Sequence, residues 1–404
     1  MQGETAGEAI AVRASEPALS LEEAAHSAAL LARLRQVIAD SGGAITFPTF
    51  MEMALYAPGL GYYSAGARKL GPAGDFTTAP ELTPLFARCL ARTVAEALTE
   101  LGGGDLLEIG PGSGALMVEL AGELVRLGTP PRRLLLLERS ADLRERQAAA
   151  LAAAGLEAQW LDALPPAGFV GVIVGNELLD AMPAACFRIA PEGPVERLVG
   201  VDGDSLAWRE GAPVTPGLAA ALEAIAHDLE SPLPVGYCSE VCLAAPAWLA
   251  SIAERMQRGV MVLADYGYPR REYYHPQRAD GTLRAHHRHR AHGDPLRLVG
   301  LQDISVHVDF TAVARAGAAA GLELAGFTTQ AGFLLAAGLT DALADILAQA
   351  GPDSPDYLRA AGAAKRLVLP GEMGESVKVV AFARGVPAPR TGFGGRDLRG
   401  RLGV

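Results

Sequence analysis

Leu106-Leu107-Glu108-Ile109-Gly110-Pro111-Gly112-Ser113-Gly114 is the stretch on which the fold turns. A short apolar strand pattern runs straight into E-x-G-x-G-x-G, and the next segment places Leu116, Leu120, Leu124 and Leu127 on one helical face. Strand, glycine turn and amphipathic helix in that order mark the opening of a βαβ unit. Downstream, Leu134–Leu137 reads as a second buried strand ending at Glu138, followed by a helix from Leu143 to about Ala154. Trp160–Pro166 reads as a strand end and turn. Phe169-Val170-Gly171-Val172-Ile173-Val174 is the next strand and runs into Gly175-Asn176-Glu177. Val260–Ala264 repeats the pattern and delivers Asp265-Tyr266-Gly267. Continuous apolar strands separated by amphipathic helices predict an α/β fold, with a parallel sheet covered on both faces.

Further out the pattern loosens. Apolar residues at helical spacing predict a helix from Leu21 to Ile38, and Phe86–Leu98 predicts another. Between them, 40–85 is rich in Gly, Pro, Thr and aromatic residues and reads as an ordered functional loop. Residues 185–210 read as a local hairpin. Leu218, Leu222, Ile225 and Leu229 mark a helix, Pro246–Met256 another, and 269–306 a polar, His-rich loop. The last third adds helix 311–320, strand 322–328, helix 340–350 and strand 376–383. The expected organisation is therefore a flexible arm at 1–20 and a helical, cofactor-loop region at 21–100. A core follows at 101–385, with insertions at about 185–245 and 269–306, and a disordered Gly/Pro/Arg-rich tail at 386–404.

Composition narrows the function. The 404 residues carry 35 Lys plus Arg against 46 Asp plus Glu, a net charge of −11, which argues against nucleic acid as a partner. Apolar runs fall far short of the ~20 residues a membrane helix needs, so no membrane insertion is expected. The cysteines Cys89, Cys186, Cys238 and Cys242 are too sparse for a disulfide scaffold. The acidic N-terminus lacks a signal or transit pattern, so the default expectation is cytoplasmic. His286, His287, His289 and His292 interleave with Arg288 and Arg290 without zinc-site spacing, and no metal is expected.

In an open parallel sheet, ligands bind beyond the carboxyl ends of the strands, where strand order reverses. Glu108, Gly110, Gly112, Gly114 and Glu138 all fall at such ends. Gly110, Gly112 and Ala115 also fit a dinucleotide fingerprint, so the glycines alone leave NAD open. Charge separates the two. Glu108 opposes a pyrophosphate but suits S-adenosylmethionine, which brings a sulfonium and an ammonium group. Glu138 suits ribose hydroxyls in either ligand. Asn176, Glu177 and Asp180, then Asp265 and Tyr266, form a second group at later strand ends, suited to holding a basic acceptor. Asn176 and Glu177 also read as a helix cap and first turn. His307, just ahead of Val308-Asp309-Phe310, completes the candidate set, with Asp162 added on the cofactor side.

These residues resemble the MidA-type methyltransferases, a family that includes the mitochondrial complex I assembly-factor arginine methyltransferase and many bacterial relatives. Gly61-Tyr62-Tyr63, Gly74-Asp75-Phe76-Thr77-Thr78-Ala79-Pro80-Glu81 and Thr83-Pro84-Leu85-Phe86 match family elements in order. So do Glu108–Gly114, Asn176–Pro183, Asp265–Gly267, Gly281–Leu283, His307–Thr311 and Met373–Glu375. The likeness covers roughly residues 28–383. Two departures stand out: Ser113 where relatives often carry Arg, and Val299-Gly300 in place of Pro-Gly. The resemblance implies a class I, Rossmann-like, seven-stranded and mostly parallel sheet with an antiparallel last strand and helical additions. It implies S-adenosyl-L-methionine bound by Gly74, Asp75, Glu108, Gly110, Gly112 and Glu138, and methyl transfer to arginine of a protein substrate such as a respiratory-complex subunit or assembly intermediate. A homodimer is a further expectation. A methyltransferase-fold assembly or binding protein, and an NAD-dependent oxidoreductase, are the rival readings.

Overall fold

The computed structural model describes residues 19–64 and 78–404. The 1–18 part of the expected arm therefore lies outside the described residues, as do Gly74 and Asp75. At the centre is a mixed sheet of eight strands. Its main path runs Glu323–Thr329, Val377–Arg384, Met256–Tyr268, Phe169–Asn176, Asp105–Ile109, Leu134–Leu137, Gln159–Leu161. The last five strands of that path are mutually parallel, and Val377–Arg384 runs antiparallel to both of its neighbours. Seven strands were expected; the eighth is Val308–Asp309, which pairs with the far end of Met256–Tyr268 at Gly267 and Tyr268. Chain order reverses between Asp105–Ile109 and Phe169–Asn176, which opens a crevice at their carboxyl ends.

Apolar layers cover both faces. Leu106, Leu136, Val172, Val174 and Val262 pack on one side with Phe86, Leu90, Leu120 and Leu124 of the flanking helices. Leu107, Leu135, Ile173, Met261 and Val380 pack on the other with Leu249, Ile252, Phe310 and Val313. Strands buried on both faces explain why the sequence shows continuous rather than alternating apolar runs.

The N-terminal region is more structured than its composition predicts. Helix Leu21–Asp40 starts at a capping box in which Ser20 accepts from the Glu23 amide at 3.1 Å and Glu23 from the Ser20 amide at 2.7 Å. The stretch expected as loop holds a strand, Ala44–Thr46, and a helix, Phe47–Tyr56, capped by Thr46 with Pro48 in the first turn. That helix buries Phe47, Phe50, Met51, Ala54 and Leu55, a full apolar stripe at helical spacing. It packs into a third core with Leu30, Leu34, Tyr62 and Val199, and it carries Glu52 and Tyr56 to the crevice.

Three further expectations are corrected. The 185–210 hairpin is part of a five-stranded antiparallel sheet, built from Ala44–Thr46, Ala185–Ala190, Gly193–Asp202, Ser205–Gly211 and Cys238–Val241. The His-rich loop is largely a three-stranded sheet, Arg284–His287, Arg290–His292 and Asp303–Ser305, which reaches the crevice edge. The tail is docked, not disordered: Phe393 meets Phe333 with ring centroids 5.3 Å apart, and Leu398 and Leu402 are buried. Glu96 accepts from the Arg390 and Thr391 amides at 2.9 Å each, which fixes the tail's path. Among the described residues, no single helix is long and apolar enough to cross a membrane, and no group of three His, Cys, Asp or Glu side chains is placed to hold a metal.

Candidate active site

A cavity of about 990 Å³ opens at the carboxyl ends of the central strands, at the upper end of the range for ligand pockets. It has two differently built halves.

The first half surrounds the glycine loop. Gly110 has φ +67°, and a Cβ there would stand 3.0 Å from Leu178 Cδ1, so the loop passes close under its neighbour. Gly114 has φ +84° and caps helix Ala115–Arg126 without lining the cavity; a Cβ would press on Gln147 at 3.3 Å. Gly114 therefore shapes the turn. Glu108 is buried, and its Oε2 lies in the interior without a hydrogen-bond partner among the described residues. Burial and the nearby Glu138 carboxylate push its pKa up to about 8. Such an orphaned carboxylate on a cavity wall is completed by a cationic or donor-rich ligand.

Glu138 sits at the end of the adjacent strand. Its Oε1 accepts from the Ser140 amide at 2.8 Å and its Oε2 from Gln147 Nε2 at 3.2 Å. The same Gln147 nitrogen donates to the Gly112 carbonyl at 2.9 Å, while Trp160 Nε1 donates to Gln147 Oε1 at 2.8 Å. Gln147 is fully buried and ties the glycine loop to Glu138. Sequence reasoning missed it; the only signal was a polar residue on the inner face of a predicted helix. Asp162 lies on the rim, where it accepts from Arg144 Nη1 at 2.8 Å.

The second half is acidic and assembled from distant segments. Asn176, Glu177, Asp180 and His307 line it together with Glu81, Tyr56, Tyr63, Tyr266, Arg284, His286 and Asp303. No helix starts at Asn176, contrary to the capping alternative; it is the last residue of its strand, and an irregular turn follows. Glu177 has φ +50°, unusual for a residue with a side chain, and its carboxylate accepts from Asn176 Nδ2 at 3.2 Å. Burial, then Asp265, pushes its pKa to about 8; Asp180 is raised for the same two reasons and by Glu177 itself.

Asp265 was expected in this wall. It lies beneath it instead, 1% exposed, with Oδ2 accepting from the amides of Leu178 at 3.0 Å and Leu179 at 2.7 Å. A left-handed conformation for a residue such as Glu177 costs about 1–3 kcal/mol. These bonds to the Leu178 and Leu179 amides fix the turn that holds Glu177 in that conformation.

His307 stacks on Tyr266 with centroids 6.0 Å apart, and its Nδ1 is buried without a partner among the described residues. Burial, with Arg278, Lys378 and Arg284 around it, lowers its pKa to about 4, so the ring is neutral at physiological pH. Tyr63 Oη donates to Asp303 at 2.9 Å, and Tyr56 Oη to the Ala181 carbonyl at 3.0 Å. These aromatic and acidic contributors from outside the core strands were not foreseen as site residues.

The cavity thus joins a glycine loop under an orphaned carboxylate to an acid-lined pocket with a neutral histidine. Its first half fits a cofactor that carries positive charge and no phosphate. Comparison with known proteins agrees. Residues 89–328 match the model of a family of S-adenosyl-L-methionine-dependent methyltransferases. A protein from Burkholderia thailandensis, solved with S-adenosyl-homocysteine bound, is 43% identical over 96% of this chain and 100% of its own, with a TM-score of 0.89. The mouse mitochondrial protein arginine methyltransferase NDUFAF7 is 28% identical over 83% of this chain and 80% of its own length. The homologue in Caenorhabditis elegans is 28% identical over 66% and 67%. These curated relatives are mitochondrial, which overturns the cytoplasmic expectation; sparse, unpaired cysteines do not separate one reducing compartment from another. Of the two cofactors weighed from the glycine loop, S-adenosylmethionine is the one the family uses. The chain belongs to this family of S-adenosyl-L-methionine-dependent methyltransferases.

Proposed function

We propose that this enzyme methylates an arginine side chain of a protein substrate, on a class I methyltransferase core with insertions that complete the acceptor pocket. The observation that carries the reading is the acid wall, Glu177 and Asp180 with Glu81, in the same cavity as the glycine loop. The relatives named as protein arginine methyltransferases support the choice of arginine over other basic groups. The strand path, with an antiparallel Val377–Arg384 inserted between Glu323–Thr329 and Met256–Tyr268, supports the class I assignment.

When bound, S-adenosylmethionine supplies an electrophilic methyl group on a sulfonium. Glu138 would accept from its ribose hydroxyls, and Glu108 would face its positive charge. The loop Gly110–Gly112 allows close backbone approach, and Asp162 borders the rim. Gly74 and Asp75 are kept in the binding set on the sequence resemblance. On the acceptor side, a guanidinium presents a planar fork of donors that matches carboxylates, and Glu177 and Asp180 would grip it. Tyr63 and Tyr266 line the cavity and offer aromatic surface to the flat cation. Asn176 Oδ1, which has no partner among the described residues, would accept from a further N–H. The nitrogen that takes the methyl must lose a proton, and Glu177, once ionised by the bound guanidinium, would receive it. Positioning and electrostatics then carry the rate, with no covalent intermediate on the protein.

The test is transfer of tritiated methyl from S-adenosylmethionine to extract proteins, followed by acid hydrolysis and mass spectrometry of the labelled band. Methylarginine is the expected product. Label recovered in another residue overturns the arginine reading, and cofactor binding without any transfer points to an assembly protein that has lost its chemistry.

A further inference from the structure

We propose that Asp265 is a positioning residue for methyl transfer, holding Glu177 and Asp180 at the cavity wall through the backbone of the loop that carries them; this rests on the acceptor role proposed for that loop. Asp265 Oδ2 accepts from three successive amides, those of Leu178 at 3.0 Å, Leu179 at 2.7 Å and, more weakly, Asp180 at 3.4 Å. Its Oδ1 accepts from the Tyr266 amide at 2.8 Å. Consecutive N–H groups converging on one anion form a nest, here filled by a side chain from the neighbouring strand and not by a ligand. The Glu177 amide donates to the Ala264 carbonyl at 2.8 Å, so both ends of the turn hang on the same strand segment. Glu177 sits at φ +50° directly beside this nest, a conformation that persists only where its surroundings dictate it.

The groups facing Asp265 are Glu177 and Asp180 on the loop, the Cys242 thiol, and Tyr266 on its own strand. Lys378, its cross-strand partner, turns its ammonium to the carbonyls of Glu375 and Ser376. Burial pushes the Asp265 pKa up, and the four amides pull it back down, leaving it at about 7.

D265N keeps the size of the side chain but replaces one accepting oxygen with an NH2 that opposes the amides. In the full chain it is expected to leave S-adenosylmethionine affinity within about threefold by calorimetry and to cut tritium transfer about 10²-fold, the scale of an ångström's misplacement. D265E should restore part of the rate. Because Asp265 acts through Glu177, the D265N/E177Q double variant should be no slower than E177Q. Amide hydrogen exchange at Leu178, Leu179 and Asp180 should rise at least tenfold in D265N. Full transfer by D265N, or unchanged protection at the three amides, overturns the proposal. If the unmodified protein transfers no methyl, the acceptor reading fails while the exchange comparison still decides the positioning claim. If D265N does not fold, the same measurements on D265E decide: transfer and amide protection both equal to those of the unmodified protein count against the proposal.

Discussion

The two halves of the cavity are built on opposite principles. The cofactor half comes from one contiguous motif, Glu108–Gly114, steadied by Glu138 and Gln147 from the next strand and helix. The half proposed to take the acceptor gathers Glu81, Tyr56, Tyr63, Asp180, Asp303 and His307 from separate segments of the chain. In the first, geometry is set by local backbone rules and tolerates little change. In the second, it is set by packing between the core and its insertions, where acceptor preference can change without disturbing the cofactor. If the comparison is sound, substitutions in the two halves separate cleanly into binding and transfer effects.

The largest expected effect is on the cofactor side. G110V forces a β-branched residue to φ +67° and drives its Cβ to 3.0 Å from Leu178 Cδ1. Calorimetric affinity for S-adenosylmethionine should fall at least about 100-fold, because the loop must leave the geometry that only glycine adopts freely. Affinity equal to that of the unmodified protein would break the account of this loop. On the acceptor side, D180N should lower methyl transfer about 10–100-fold while leaving cofactor affinity nearly unchanged, since it removes one charge from the guanidinium grip. A parallel loss of cofactor affinity would merge the two halves.

Q147L comes next. It removes the tie to Gly112, the bond to Glu138 and the acceptor of Trp160 Nε1 from a fully buried position. The two bonds that reach the cofactor half, at about 1 kcal/mol each, correspond to at least roughly tenfold weaker cofactor binding. Transfer at saturating cofactor should be unaffected; a drop in the saturated rate would assign Gln147 to both halves.

The smallest effects concern pH. Glu108 and Glu177, pushed to about 8, hold protons at neutral pH that the unfolded chain releases near 4.5. Their contribution to stability is therefore present below about pH 4.5 and lost as pH rises through about 8. The ligand-free protein should melt at lower temperature at pH 9 than at pH 6, with E108Q and E177Q each flattening the trend. A cationic ligand favours the charged carboxylates, so S-adenosylmethionine affinity should rise several-fold from pH 6 to 9. S-adenosyl-homocysteine lacks the sulfonium and should rise less. Identical slopes for the two ligands would remove charge from the explanation of the Glu108 site.

What was legible in the sequence follows the same division. The glycine loop, Glu138 and the buried strands are governed by local pattern, so their order and the cofactor were readable from residues 106–138. Helix Phe47–Tyr56 was obscured by its aromatic, Pro-flanked composition, although Phe47, Phe50, Met51, Ala54 and Leu55 carry the helical spacing. The Gly/Pro/Arg composition of the tail hid a docked segment, because Phe393 lodges against Phe333 and Gly326 on a surface formed far away in sequence. Asp265 was rightly picked out as an acid at a strand end and wrongly aimed: whether such a side chain faces the cavity or the backbone below it is decided by the neighbouring turn. Asp303 and Gln147 carried no motif of their own, and the Gly61-Tyr62-Tyr63 element gave Tyr63 no role in the site. Their place is tertiary.

The most direct test is one pair of measurements on a single preparation of E177Q: calorimetric affinity for S-adenosylmethionine and tritium transfer to extract protein. A separate acceptor half built around Glu177 predicts unchanged affinity with transfer reduced about 10²-fold or more. Transfer equal to that of the unmodified enzyme would contradict it.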